Sequence, residues 1–128
     1  MSDYKIITSE TVKKTQAKDG YWSLYIQVPE DLIYFQGHFD GFPVTPGIIQ
    51  LKWVIEFIEK KTKQSVQVKK IQAMKFNNPL LPNDYCTMQI GWENDHYFYK
   101  LYNREKKISS GKIIPSVKPN INHYFSAK

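Results

Sequence analysis

One apolar helical segment, set among segments that alternate between apolar and polar residues, constrains the fold of this chain most. Apolar residues stand at positions 48, 49, 51, 53, 54, 55, 57 and 58. They cover most of the circumference of a helix, so the sequence predicts a long, largely buried helix over 47–61. A helix this apolar needs cover on more than one side. The simplest packing wraps a sheet around it, and dimerisation could supply the rest.

Period-two alternation predicts strands on both sides of this helix in the sequence. Before the helix, Trp22, Leu24 and Ile26 fall on one face of a predicted strand. After the helix, Pro and Asn/Asp residues separate four further alternating segments. The predicted strands are 4–8, 21–28, 66–77, 84–92, 96–103 and 107–115. One helix against a long antiparallel sheet is an α+β architecture.

The composition fits a single domain over 1–128, with an irregular tail after about residue 116. The 18 basic residues exceed the 12 acidic ones, which favours an anionic partner. Arg104 is the only arginine, however, and nucleic-acid sites favour arginine, so we expect no nucleic acid. The single cysteine excludes an internal disulfide. With no signal-like N-terminus and no run long enough to span a membrane, we expect a cytoplasmic protein that is not bound to membranes.

The residues just before the helix carry the strongest chemical signal. His38 lies in a Gly- and Pro-rich loop over 30–45, and imidazole is the side chain best suited to proton transfer near neutral pH. Thr45 and Pro46 suit the cap and the first turn of the helix. Gly47, which has no Cβ, lets a ligand oxygen approach the free N–H groups there. A base beside an oxyanion site is what proton abstraction next to a carbonyl requires. A lone loop histidine is more often structural or simply exposed, and that alternative stays open on these residues alone.

Three stretches of the sequence resemble the β-hydroxyacyl-ACP dehydratases of the FabZ/FabA family. "GHFDGFPVTPG" (37–47) is similar to the family signature G-H-F-P-x-x-P-x-x-P-G. "KFNNPLLPND" (75–84) looks like K-F-x-x-P-V-x-P-G-D, and "KISSGKI" (107–113) is similar to a late-strand element. The run "PGIIQLKW" (46–53) resembles most closely the dehydratases of aryl-polyene-type pathways.

This resemblance implies a hotdog fold, in which an antiparallel sheet wraps around one long central helix. It further implies a homodimer or a trimer of dimers that dehydrates 3-hydroxyacyl thioesters on acyl carrier protein, in fatty acid or polyene biosynthesis. His38 would act on the α-proton, and the N–H of Gly47 would polarise the thioester carbonyl. An acidic side chain on the partner subunit's helix would assist departure of the hydroxyl. We expect no cofactor, and no metal, because no residues have metal-ligand spacing.

Lys52 departs from the family, because it occupies the position where a glutamate or aspartate is expected. Lys52 could itself be the acid if desolvation lowers its pKa. Glu56, one turn further on the same helix face, could replace it. Alternatively, the chain could be a hotdog acyl thioesterase, or a catalytically impaired acyl-binding subunit that pairs with an active paralogue.

Three further residues carry weaker expectations. Gln50 lies on an apolar helix, where it could face an interface or a ligand, although such a residue more often finds a backbone partner. Trp53 is predicted to lie in the core. Cys86, on a predicted strand, is expected to be a small buried residue rather than a nucleophile.

Overall fold

The computed structural model describes residues 4–12, 20–29 and 47–120, which form six strands and one helix. The helix is α1 (Gly47–Thr62), and the strands are β1 (Lys5–Val12), β2 (Tyr21–Gln27), β3 (Val68–Phe76), β4 (Tyr85–Glu93), β5 (His96–Asn103) and β6 (Lys106–Pro115). This order is the predicted one, and most boundaries agree with the prediction within two residues. The exception is β1, which continues to Val12 rather than ending at residue 8.

The strands form one antiparallel sheet in the order β1-β2-β4-β5-β6-β3. Two-residue turns join β4 to β5 and β5 to β6, and Asn94 and Arg104 adopt a positive φ of 58° in these turns. β3 lies at one edge beside β6, so the chain must cross the sheet between β3 and β4. That crossing runs through residues 77–84, the second of the family-like stretches.

The core lies between the inner face of the sheet and the helix. Trp22, Leu24 and Ile26 of β2 are buried, which confirms the predicted face of this strand. Alternate residues of β4, β5 and β6 extend the same apolar surface. Trp53 and Ile58 of α1 pack against it with no exposed surface, as predicted for Trp53. Burial of each such side chain stabilises the fold by roughly 1.5–3 kcal/mol.

The helix is buried along one side and open along a narrow stripe. Its buried residues are Gln50, Leu51, Trp53, Val54, Phe57, Ile58 and Thr62. The stripe contains Ile48 and Lys52, which are exposed, and the half-buried Glu56. In the part of the chain that the structure describes, no helix is both long enough and apolar enough to cross a membrane.

Candidate active site at the start of the helix

The start of α1 is held under an aromatic ring. The ring of Phe76, at the end of β3, lies directly against Gly47. A Cβ at position 47 would be 2.5 Å from Cζ of Phe76 and 3.1 Å from its Cδ1. Position 47 therefore requires glycine unless the ring moves. The first N–H groups of any helix lack intrahelical partners, so this end of α1 offers donors to an incoming oxygen atom.

A buried polar contact fixes the first turn of α1 to the sheet. Ser109 of β6 donates a hydrogen bond to Oε1 of Gln50 at 2.7 Å. Gln50 is 3% exposed and Ser109 is fully buried. Ser109 also hydrogen-bonds the Tyr99 hydroxyl, whose pKa is raised by burial and lowered again in part by this bond. Because a buried polar group without a partner is costly, these bonds set where the helix starts relative to β6.

The 77–84 segment ties the end of β3 to neighbouring strands. The backbone N–H groups of Asn77 and Asn78 both donate to the carbonyl oxygen of Ile108, at 2.8 and 3.3 Å. The Asn78 side chain also donates to the carbonyl oxygen of Lys107 at 2.6 Å. Phe76, the residue before this segment, is thereby held beside Gly47.

The other end of the same segment fixes the end of β2. Val28 donates its N–H to the carbonyl oxygen of Asp84, and Asn83 donates to the carbonyl oxygen of Val28, both at 2.9 Å. The Asp84 carboxylate accepts the N–H of Leu81 at 2.8 Å and closes a turn. These bonds hold Val28, the residue after the end of β2, against the end of the 77–84 segment. The motif over 75–84 thus connects the end of β3 with the end of β2.

Of the four predicted site residues, three lie on the described helix. Gly47, Lys52 and Glu56 are within ten residues of each other on α1. His38 lies in 30–46, outside the described residues, as do the predicted cap Thr45 and the first-turn residue Pro46. The relation of His38 to the helix therefore stays a prediction.

Lys52 and Glu56 share one helix face but differ in burial. Lys52 is exposed in the single chain, whereas Glu56 is half-buried and its Oε1 atom has almost no accessible surface. The carboxylate of Glu56 is in the drier position of the two.

Sequence reasoning missed the roles of three residues at this site. Ser109 was recognised only as part of the weak "KISSGKI" stretch, and Phe76 as a motif match without a role. Gln50 was expected to face an interface or a ligand or, more often, to find a backbone partner. All three lie within family-like stretches, which was the available signal, but the contacts between α1 and the sheet join residues far apart in the chain.

Cys86 is excluded as a nucleophile. It is 1% exposed, as predicted for a small buried residue. Burial, with a smaller contribution from Asp84, raises the pKa of its thiol to about 12. The reactive thiolate is therefore scarce near neutral pH. Among the described residues, no group of three or more His, Cys, Asp and Glu side chains could hold a metal ion.

Comparison with known proteins agrees with this arrangement. Residues 13–112 match the family model of the ApeI-like dehydratases, described as ApeI dehydratase. A curated relative, the 3-hydroxyacyl-[acyl-carrier-protein] dehydratase FabZ of Polynucleobacter necessarius subsp. necessarius (strain STIR1), is 30% identical over 69 residues. That match covers 48% of this chain and 46% of the relative, so the chain matches about half the length of this protein.

Two solved structures are similar over most of the chain. One is an uncharacterized protein from Erwinia carotovora subsp. atroseptica, with a TM-score of 0.74 and 30% identity, covering 88% of this chain and 97% of that one. The other is the dehydratase heterocomplex ApeI:P from Xenorhabdus doucetiae, with a TM-score of 0.72 and 23% identity, covering 85% and 94%. These two structures confirm the predicted hotdog fold. The family match over 13–112 confirms the predicted resemblance to FabZ-like dehydratases, of the ApeI type.

Proposed function

Because the chain belongs to the ApeI-like dehydratase family, we propose that it is a cytoplasmic dehydratase of 3-hydroxyacyl thioesters carried on acyl carrier protein. The observation that carries this proposal is the construction of the helix start. Gly47 lies under Phe76, its turn is fixed by the Gln50–Ser109 bond, and an ionisable Glu56 follows on the same helix. Amide donors and a carboxylate on one rigid element are what an elimination next to a carbonyl needs.

In the proposed reaction, two proton transfers accompany the loss of one water molecule. His38 takes the proton from C2 of the substrate, and the N–H of Gly47 stabilises the charge that develops on the thioester oxygen. The C3–O bond then breaks, and the departing hydroxyl takes a proton from an acid. The products are a 2-enoyl thioester and water. No electrons are gained or lost, so the step requires no redox cofactor.

We assign the acid role to Glu56 rather than Lys52. Glu56 holds one carboxylate oxygen out of solvent, and a carboxyl group is a side chain that can donate a proton to a departing hydroxyl. Lys52 is exposed to solvent in the single chain. Lys52 could take the role only if a second protomer covers it.

A second protomer is part of this proposal, as a homodimer or a trimer of dimers. Large apolar side chains are exposed at the helix start, where Ile48 is 69% exposed and Phe76 57%, and in the 77–84 segment, where Leu81 is 40% exposed. A partner that covers them would desolvate the site and line a channel for the acyl chain.

The substitution at position 52 favours a second candidate function. The chain could be the subunit of a mixed dehydratase in which a paralogue supplies the acid, since the similar solved structure from Xenorhabdus doucetiae is a heterocomplex. In that case the purified chain binds acyl thioesters but does not turn them over until the paralogue is added.

The test is a turnover assay with 3-hydroxyacyl and 2-enoyl carrier-protein thioesters. We expect the wild type to catalyse reversible hydration. Turnover should fall at least a hundredfold in His38→Ala and by a comparable factor in Glu56→Ala, and it should stay near normal in Lys52→Ala. Lys60→Ala, an exposed lysine on the last turn of α1, is the matched control. If turnover is lost in Lys52→Ala but normal in Glu56→Ala, then Lys52 is the acid and the assignment to Glu56 is wrong. Release of free acid would identify a thioesterase and overturn the proposal.

A further inference from the structure

Three adjacent strands at one side of the sheet carry an unbalanced positive charge. β3 contains three lysines, β5 one and β6 three, and none of these strands contains an aspartate or glutamate. The strands are neighbours in the order β5-β6-β3. Seven cations therefore share one continuous piece of the sheet without a carboxylate among them.

Register assigns five of these lysines to the outer face of the sheet, opposite α1, namely Lys70, which pairs with Ile114, and four others. Lys100 pairs with Ser110, and Ser110 with Lys75, so two lysines flank one serine in a row across three strands. The next rows place Lys112 beside Phe98 and Lys107 beside Tyr102. We call the surface formed by Lys75, Lys100, Lys107 and Lys112 the lysine face.

The alternation of burial supports this orientation. Tyr99, Leu101 and Ile113, which are next to Lys100 and Lys112 along β5 and β6, are buried, whereas the four lysines are exposed. Side chains of successive strand residues point to opposite faces, so the lysines face solvent.

The cations of the lysine face are close enough to act together. Strands two apart in a sheet lie roughly 10 Å apart, which is near the Debye length of about 8 Å at physiological ionic strength. Among the described residues, none of the four lysines forms an ion pair with a carboxylate. Their positive potentials therefore add and are available to a partner.

The lysine face lies on the outer side of β3 and β6, and residues next to it along these strands form part of the candidate site on the inner side. Lys75 directly precedes Phe76, whose ring lies on Gly47. Ser110 directly follows Ser109, which bonds Gln50 in the first turn of α1. A partner docked on this face therefore lies beside the end of β3, on the opposite side of the sheet from the helix start.

We propose that the lysine face is the docking surface for the acidic carrier protein that presents the thioester, an inference that rests on the proposed function. A surface of lysines suits an acidic protein, because a carboxylate can pair with a lysine ammonium group without the two parallel hydrogen bonds that arginine offers. Two aromatic residues, Phe98 and Tyr102, lie beside these lysines. Nucleic-acid phosphates are recognised more often by arginine, and none of the four residues is arginine.

The binding test compares two triple variants that remove the same charge. Lys75→Gln/Lys100→Gln/Lys112→Gln, the lysine-face variant, removes three of the four charges of the lysine face. Lys60→Gln/Lys61→Gln/Lys63→Gln removes the charges of three exposed lysines at the end of α1. The probe is a fluorescently labelled bacterial acyl carrier protein in its holo form, titrated by anisotropy at low and at high salt. We expect the lysine-face variant to bind about tenfold more weakly at low salt and to lose most of the salt dependence. The control should change by less than twofold.

Several outcomes would overturn the proposal. These are absence of carrier binding by the wild type, equal losses in both variants, or unchanged binding in the lysine-face variant. Tighter binding of a labelled single-stranded DNA 20-mer than of the carrier, lost in the same variant, would assign the face to nucleic acid instead.

A turnover measurement separates this inference from the proposed function. With a 3-hydroxyacyl group on the carrier protein, kcat/KM should fall about tenfold in the lysine-face variant; with the same group on pantetheine it should stay unchanged. A fall with both substrates would mean that the variant damages the site, and would overturn the docking role. If neither substrate is turned over but carrier binding is still lost only in the lysine-face variant, the docking surface stands and the dehydratase proposal fails.

Discussion

Removal of the Ser109 hydroxyl tests whether the Gln50–Ser109 bond holds the helix start in place. Ser109→Ala leaves Oε1 of Gln50 without its 2.7 Å donor in a site where both residues are almost fully buried. The loss of one partner of a buried hydrogen bond costs roughly 1–3 kcal/mol of unfolding free energy. For a chain of this length, that is about 4–12 °C in melting temperature.

Ser110→Ala is the matched control, because the neighbouring serine lies on the outer face and is half-buried. It removes the same atoms and should change stability by no more than about 0.5 kcal/mol. Thermal or urea unfolding at a fixed protein concentration measures both variants, since a dimer's stability depends on concentration. The reasoning fails if Ser109→Ala and Ser110→Ala are equally stable, or if Ser109→Ala matches the wild type.

A double-mutant cycle with Gln50→Ala isolates the bond itself. If the two side chains interact as the distance indicates, the cycle gives a coupling of about 1 kcal/mol. A coupling near zero would mean that Ser109→Ala acts through its other contact, the hydrogen bond with Tyr99.

Three further predictions follow from the same structure. Gly47→Ala should lower turnover at least tenfold, because the added Cβ meets the Phe76 ring and crowds the amide donors. The double variant Gly47→Ala/Phe76→Ala should recover folding stability but not activity. Recovery of full activity would contradict the role of the amide as a donor. Cys86 should react with a thiol reagent at pH 8 only as fast as the chain unfolds, since it is buried; rapid stoichiometric labelling of the native protein would contradict this. Burial raises the pKa of Cys86 from 9.0 and that of Tyr97 from 10.0, each to about 12, so the native state binds more protons than the unfolded state between about pH 9 and 12. Stability should therefore fall as pH rises through that window, and urea unfolding with a flat pH profile there would contradict it.

Local pattern was enough to predict the elements of this fold, because each element has its own period. The apolar run predicted α1 to within one residue, and the alternation around Trp22 gave the buried face of β2. The end of β1 was wrong because residues 8–11 are Thr, Ser, Glu and Thr, and an edge strand with exposed side chains shows no apolar alternation.

The sequence alone could not predict contacts between residues that are far apart in the chain. Gln50 and Ser109 are 59 positions apart, and nothing local to Gln50 indicates a hydroxyl partner on β6. The same holds for the lysine face, since the lysines of β3, β5 and β6 become neighbours only through the order of the sheet. The relative burial of Lys52 and Glu56 likewise depends on how the helix is covered, which the helical period alone does not determine.

The central claim is that proton transfer at the α-carbon depends on His38, and hydration in deuterated water tests it most directly. When a 2-enoyl carrier-protein thioester is hydrated in D₂O, mass spectrometry and NMR should find one deuterium at C2 of the 3-hydroxyacyl product. In His38→Ala that incorporation should disappear, while binding of the thioester remains. Deuterium at C2 at the wild-type rate in His38→Ala, or no incorporation by the wild type with free acid as the product, would contradict the account.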